Sequence, residues 1–313
     1  MRGRLSRTDL LVLAVVVIWA GSFSVVKYGL REIGPLAFAS VRFGTASCVL
    51  VIWAWVMEGK PVIRREDWPR IIIVGLTAIG VYQVFFTVGL EYTTASNSSL
   101  MLATIPAWTA IFAVSLREER IVPPQIAGLC LSFAGVALII RGGGTGFHLN
   151  WDSVRGDALT LVAAALSGAS TVLSRRLLAR YSSLRMMSVS MLCGTLFMLL
   201  ISAPEMVAQP WSQLSWGTWL ALAYSAVPAG GVAYVIWFKS IGEIGASRTV
   251  IYNNLIPPVA ILIALMTLGE RLTGLQALGA VVVLGGVVLT RFAQGNGSEP
   301  GPLVQAAKGD GSG

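Results

Sequence analysis

The chain has 313 residues, 55% of them hydrophobic and only 12% charged, with a formal net charge of +8. Soluble domains carry roughly 25% charged residues, so this composition excludes a water-soluble fold and makes lipid the solvent. The positive balance does not mark a nucleic-acid binder: the basic residues sit in short stretches between apolar runs, where they orient membrane helices, and they form no basic face.

A bilayer core takes about 20 apolar residues as a helix, and ten segments meet that length. A cytoplasmic N-terminus (1–9) leads into spans expected at 10–29, 35–57, 69–90, 95–116 and 123–140, which make a first repeat over 10–141. An outer connecting loop covers 142–156. Spans at 157–178, 184–203, 217–238, 246–268 and 273–291 make a second repeat over 157–292. The tail, 293–313, is rich in Gly, Ser and Pro and reads as disordered. Arg2, Arg4 and Arg7 precede the first apolar run, as in a signal peptide. That run is longer than the roughly 7–15 residues of a signal h-region, so it reads as a retained helix.

The two repeats are copies. At a shift of 151 positions Ala95-Ser96 falls on Ala246-Ser247, Ile105-Pro106 on Ile256-Pro257 and Glu119-Arg120 on Glu270-Arg271. Gln125, Gly128, Gly135 and Val136 fall on Gln276, Gly279, Gly286 and Val287. At a shift of 148, Ser22, Lys27 and Leu30 fall on Ser170, Arg175 and Leu178. With the N-terminus inside, the inner segments hold 17 Lys and Arg and the outer loops 5, with Arg42 inside a span. That bias places both termini in the cytoplasm. Each copy has five spans, an odd number, so the second must cross in the opposite sense. The expected fold is therefore all-α, integral to the membrane, with ten transmembrane helices in two inverted five-helix repeats. Such a duplication is the mark of transporters, whose halves move about a site between them. Trp53, Trp55, Trp68, Trp151, Trp211, Trp216, Trp219 and Trp237 fall near the expected interfaces, where tryptophan belongs. Trp19 and Trp108 fall mid-span instead.

Four stretches resemble the EamA-type permeases of the drug/metabolite transporter superfamily. They are Ile18–Lys27 (IWAGSFSVVK), Pro35–Phe43 (PLAFASVRF), Gly89–Arg120 and Gly245–Leu289. The likeness covers nearly all of 8–292. It implies ten helices in two inverted repeats, a central cavity, and transport of small metabolites, often amino acids outward. Ser167 stands where the second copy would match Trp19, so the halves need not line the cavity alike.

A transport site is expected near midplane at the repeat interface, where spans are polar or broken. Depth selects Trp19, Ser22, Arg42, Tyr82, Gln83, Trp108, Ser170, Tyr234, Asn253 and Asn254 as candidate substrate contacts. Thr171 is beside them, and Tyr82 and Tyr234 match at a shift of 152. The competing reading for Ser170 and Thr171 is bonding within their own helix or between helices. Arg42, about 10 Å along its helix from Pro35 at 1.5 Å per residue, either snorkels outward or attracts an anionic group. Pro106, Pro228 and Pro257 are candidate hinges, or static kinks.

Cys48, Cys130 and Cys193 lie apart within apolar segments, and His148, the one histidine, lies in a loop. No metal site, cofactor motif or nucleophile–base pair can be built from these, so an enzyme is not expected. Glu91 and Glu243 stand at helix ends and Asp157 at a helix entry, which leaves the midplane without a carboxylate and favours facilitated over proton-driven movement. The expected partners are a small-molecule substrate and the bilayer, the cell inner membrane, with the protein a monomer or homodimer. The expected function is movement of small metabolites, most of all amino acids or similar zwitterions, outward or down a gradient by alternating access. A multidrug or cation exporter is the alternative.

Overall fold

The structure is a computed structural model that describes residues 7–60, 62–116, 123–142, 150–244 and 252–297. All its regular elements there are helical. We number the spans in chain order: α1 (Arg7–Gly29), α2 (Pro35–Glu58), α3 (Arg65–Tyr92), α4 (Ala95–Ser115), α5 (Pro123–Gly142), α6 (Trp151–Leu178) and α7 (Ser183–Ala208). Then come α8, which starts at Trp216 and runs to Ile244, α9 (Ile256–Thr267) and α10 (Gly274–Gly297). Seven of these are long and apolar enough to cross a bilayer, and α5, α9 and α10 hold shorter apolar helices.

Side-chain caps set several starts. Thr94, Asn150, Ser182 and Ser215 each accept from the backbone N–H three residues on, at 3.0, 3.2, 3.1 and 3.3 Å. These bonds satisfy N–H groups that a helix start otherwise leaves unpaired. Gly59 and Gly269 end α2 and α9 with φ of +75° and +65°, a conformation that favours glycine.

Packing repeats the sequence symmetry. α2 lies against α7 and α5 against α10, so each of these pairs joins equivalent helices of the two copies. α6 packs on α3 and α4, and α1 packs on the equivalent α8 and α9. Gly135 and Gly286, which match in the repeat, sit in matching contacts. A Cβ on Gly135 would lie 2.8 Å from the Gly279 carbonyl, and one on Gly286 would lie 2.6 Å from that of Gly128. Small residues let these backbones touch.

The loops sort onto two ends. At one, Arg180 Nη1 donates to Glu66 and Asp67, both at 3.1 Å, and Arg185 pairs with Glu58 at 3.5 Å. At the other, Glu32 accepts from the Ser215 amide and the Thr218 hydroxyl, both at 2.8 Å, and Glu205 accepts from the Ala37 amide at 2.9 Å. These bonds, the Ser215 amide first and then the Ser215 and Thr218 hydroxyls, hold the Glu32 carboxyl below its ordinary 4.5. A carboxyl depressed on folding stabilises the fold above the unfolded value and loses that contribution as pH falls through the folded one. Glu32→Gln is therefore expected to lower the melting temperature at neutral pH, and the gap to wild type should close as pH falls below the ordinary 4.5 and through the folded value. A gap independent of pH would contradict the assignment.

Several sequence boundaries shift. α6 starts at Trp151 rather than 157, because Asn150 caps it. The terminal helix runs to Gly297, so 293–297 are helical, and the rest of the expected tail lies outside the described residues. The 95–116 span is two helices, Ala95–Leu102 and Ile105–Ser115, and Pro106 lies in the first turn of the second. Pro257 likewise opens α9, after a 3₁₀ turn at Tyr252–Leu255. At a first turn proline costs no helical hydrogen bond, so neither residue breaks a continuous helix. Trp237 is buried within the protein, and Cys48 and Cys130 are exposed on its surface.

Candidate substrate site

Two helices change their winding at the same place in the repeat. α3 is a π-helix over Leu76–Gly80, and α8 over Ser225–Val232. Each π stretch ends two residues before the matched tyrosine, Tyr82 in α3 and Tyr234 in α8. A π stretch widens the turn and is frequent at functional sites. In α8, Pro228 inside the stretch supplies no N–H.

Two carbonyls of that stretch accept from other helices. Ser225 O takes Arg42 Nε at 3.1 Å, and Ala229 O takes Trp19 Nε1 at 3.0 Å. Arg42 Nη2 donates to the Ser22 hydroxyl at 3.3 Å, and the guanidinium lies 4.8 Å from the Phe43 ring centroid. Arg42 is 6% exposed, so it does not snorkel. Tyr82 and Tyr234 both lie within its electrostatic reach. Trp19 meets Tyr234 edge-on at 5.4 Å and Trp237 at 5.1 Å. Trp19, Ser22, Arg42, Tyr82 and Tyr234 are thus brought together from α1, α2, α3 and α8.

Two aromatic groups lie along α1 on either side of Ser22, the partner of Arg42. Trp19, Tyr234 and Trp237 form one. In the other, Phe23 meets Phe86 edge to face at 5.7 Å, and Tyr82 stacks on Phe86 at 6.1 Å. Beyond Phe23 along α1, Lys27 Nζ donates to the carbonyls of Leu90, Glu91 and Thr93 at 2.6, 2.8 and 2.6 Å. A cavity of about 340 Å³ opens there, between Lys27, Arg31, Glu91 and Glu270. Glu270 accepts from the amides of Ala95 and Ser96 at 2.7 and 3.0 Å, tying the α9–α10 connection to the start of α4.

The remaining candidates scatter. Gln83 is 3% exposed, and its Oε1 has no partner among the described residues. Trp108 Nε1 is likewise unpaired, and its ring sits edge-on to Phe133, 5.2 Å away. A Cβ on Gly168 would lie 2.7 Å from Trp108 Cβ, so Trp108 packs tightly between α4 and α6. Ser170 and Thr171 both donate to Ser167 O of their own helix, at 2.8 and 2.9 Å. Asn253 and Asn254 belong to the 3₁₀ turn before α9, and their side chains lie outside the described residues, as does the Glu119-Arg120 loop.

Sequence reasoning passed over a second polar cluster. Asp157 is 0% exposed, well inside α6 rather than at its entry. It accepts from Thr93 Oγ1 at 2.5 Å and from Asn97 Nδ2 at 3.1 Å. Asn97 Oδ1 accepts from Gln276 Nε2 at 3.0 Å. One carboxylate so ties α3, α4, α6 and α10. At the shift that aligns α1 with α6, its match is Asp9, also buried, which accepts from the Tyr252 hydroxyl at 2.8 Å. The α1–α6 shift was the available signal, since it pairs the two carboxylates.

The comparisons agree with this architecture. Residues 6–141 and 154–292 each match the EamA-like transporter family. An Archaeoglobus fulgidus protein described as an uncharacterised transporter is 29% identical over 92% of this chain and 99% of its own. A Streptantibioticus cattleyicolor protein described as a probable terminal-alkyne amino-acid exporter is 29% identical over 91% of this chain and 94% of its own. A solved crystal structure superposes with a TM-score of 0.63 at 18% identity, covering 91% of this chain and 96% of the other.

Proposed function

The chain belongs to the EamA-like transporter family, and from that premise we propose that it carries small zwitterionic metabolites, amino acids above all, out of the cell by alternating access. The observation that carries this reading is the buried centre around Arg42. Residues of both repeats meet there, at the π stretch of α8, with apolar rings on either side and a few polar groups between. Apolar walls with few, placed polar groups suit a small molecule with a polar head and an apolar side chain. The description of the Streptantibioticus relative supports the substrate class.

Residues 10–141 and 157–292 act as the two moving units, with both termini in the cytoplasm of a plasma-membrane protein. In a cysteine-free background, single cysteines at Lys60 and Arg271 are expected to label from opposite faces. Labelling from one face would rule out the inverted topology.

The site is tested by uptake of a panel of amino acids into proteoliposomes, with a melting curve for each variant. Trp19→Ala and Tyr82→Phe are expected to stay folded and to alter affinity or substrate order several-fold. Packing residues behave otherwise: their truncation lowers stability and leaves preference alone. Lost stability with unchanged preference would return both residues to the scaffold.

A further inference from the structure

Arg42 poses a charge-balance problem. A guanidinium is always protonated, and burying one inside a membrane protein is costly unless it is paired. Among the described residues no carboxylate lies within ion-pair distance of Arg42. The buried acids are used elsewhere, Asp9 by Tyr252, Asp67 by Arg180 and Tyr181, and Asp157 by Thr93 and Asn97, as is the half-buried Glu205 by the Ala37 amide. Arg42 has only neutral acceptors, Ser225 O and Ser22 Oγ. Its Nη1 is buried with no acceptor at all. The surroundings are the two tyrosines and the aromatic layers, which offer no anion.

We propose that Arg42 is the carboxylate anchor of the transport site, its unused Nη1 N–H groups receiving the carboxylate of the substrate between the Trp19 and Phe23–Phe86 layers. This rests on the reading of the protein as a carrier of small metabolites. The counter-ion missing from the protein is then supplied by the cargo. Nε and Nη2 are already committed, so the carboxylate is taken through Nη1 and not in the fork that Nε and Nη2 would form with a fully free arginine. A phosphate dianion fits less well. It calls for several donors and more positive charge, and among the described residues no second basic side chain bonds to this centre. Cations and neutral amines are disfavoured by the same field. Because Arg42 also binds the π stretch of α8, a carboxylate arriving on Nη1 acts on the group that joins α1, α2 and α8.

The test uses the full-length protein in proteoliposomes. Uptake is measured for the best-carried amino acid, its amide, its decarboxylated amine and its deaminated monocarboxylate. Melting shifts with the same compounds are read on purified protein. Wild type is expected to favour the acid over its amide by at least about 10-fold, about 1.4 kcal/mol, and to be stabilised by the acid alone. Arg42→Gln should bring that ratio near unity through loss of acid flux. Arg42→Lys, which keeps the charge, should retain a reduced preference and so covers the case in which the glutamine variant does not fold. An unchanged acid-to-amide ratio in either folded variant would overturn the anchor. So would a wild-type protein that carries amide or amine as fast as acid, and such a result leaves the carrier reading standing. Transport of the deaminated monocarboxylate without any amino acid would instead overturn the amino-acid reading and support the anchor.

Discussion

Gly75→Val and Gly194→Val are each expected to abolish folded, membrane-inserted protein. α3 and α7 cross here with backbones in contact. A Cβ on Gly75 would lie 2.2 Å from the Ser190 carbonyl oxygen, and one on Gly194 would lie 2.3 Å from the carbonyl oxygen of Gly75. Neither obstacle is a side chain that can rotate away. Overpacking a core that can adjust costs about 1–3 kcal/mol, and a backbone-to-backbone clash exceeds that range because two helices must separate. The damage also reaches the site, since Gly75 directly precedes the π stretch that leads to Tyr82. Expression with a fluorescent tag, size-exclusion profile and melting curve provide the readout. Gly44→Ala and Gly274→Ala are the controls, because a Cβ at either position meets nothing within 4 Å. A Gly194→Val protein that elutes and melts like wild type would show that the crossing is looser than described.

Asp157→Leu is the second substitution expected to do large damage. It strips the acceptor from Thr93 Oγ1 and Asn97 Nδ2 in a place without solvent. Each stranded donor costs about 1–3 kcal/mol, so a loss of roughly 2–6 kcal/mol follows for the pair. Asp157→Asn should be much milder. Its amide oxygen can still accept from Asn97, and its NH₂ can donate to the Thr93 hydroxyl. The asparagine variant also removes the charge while keeping the tie. If the carboxylate serves only to join helices, this variant transports at the wild-type rate with unchanged pH dependence. A folded Asp157→Asn protein that no longer responds to a pH gradient would make Asp157 a proton carrier and end the facilitated reading.

Hydropathy and the internal repeat carried the architecture. The ten spans, their inversion and the Tyr82–Tyr234 match can all be read from the chain, because span length and repeat offset are local properties of sequence. Arg42 was legible as the one charge in mid-span, though whether it snorkels depends on Ser22 and Ser225, which only the folded chain brings to it. Asp157 was misplaced because the Asn150 cap starts its helix six residues earlier than hydropathy suggests. The bond of Ser170 to its own helix was not legible, because a hydroxyl that bonds its own helix has the same sequence as one facing a substrate. The carbonyls of Ser225 and Ala229 could not have been chosen, since backbone acceptors carry no residue signature. Pro228 and Gly230-Gly231 marked α8 as irregular, but no proline marks the matching stretch of α3.

The paired π stretches also speak to history. A π turn accommodates one residue more than an α turn while the helix continues on the same axis. It is the footprint of a single inserted residue, which rotates everything upstream by about 100° against everything downstream. In α3 that rotation lets one helix press Gly75 onto α7 and still stack Tyr82 on Phe86. Acquiring the same insertion twice, at the same distance from the same tyrosine, would require two independent events in two diverging halves. One event suffices if the residue was already present when the gene held a single five-helix unit. That unit would have paired antiparallel with a second copy of itself, and such an ancestral dimer would have had both tyrosines before it had one continuous chain.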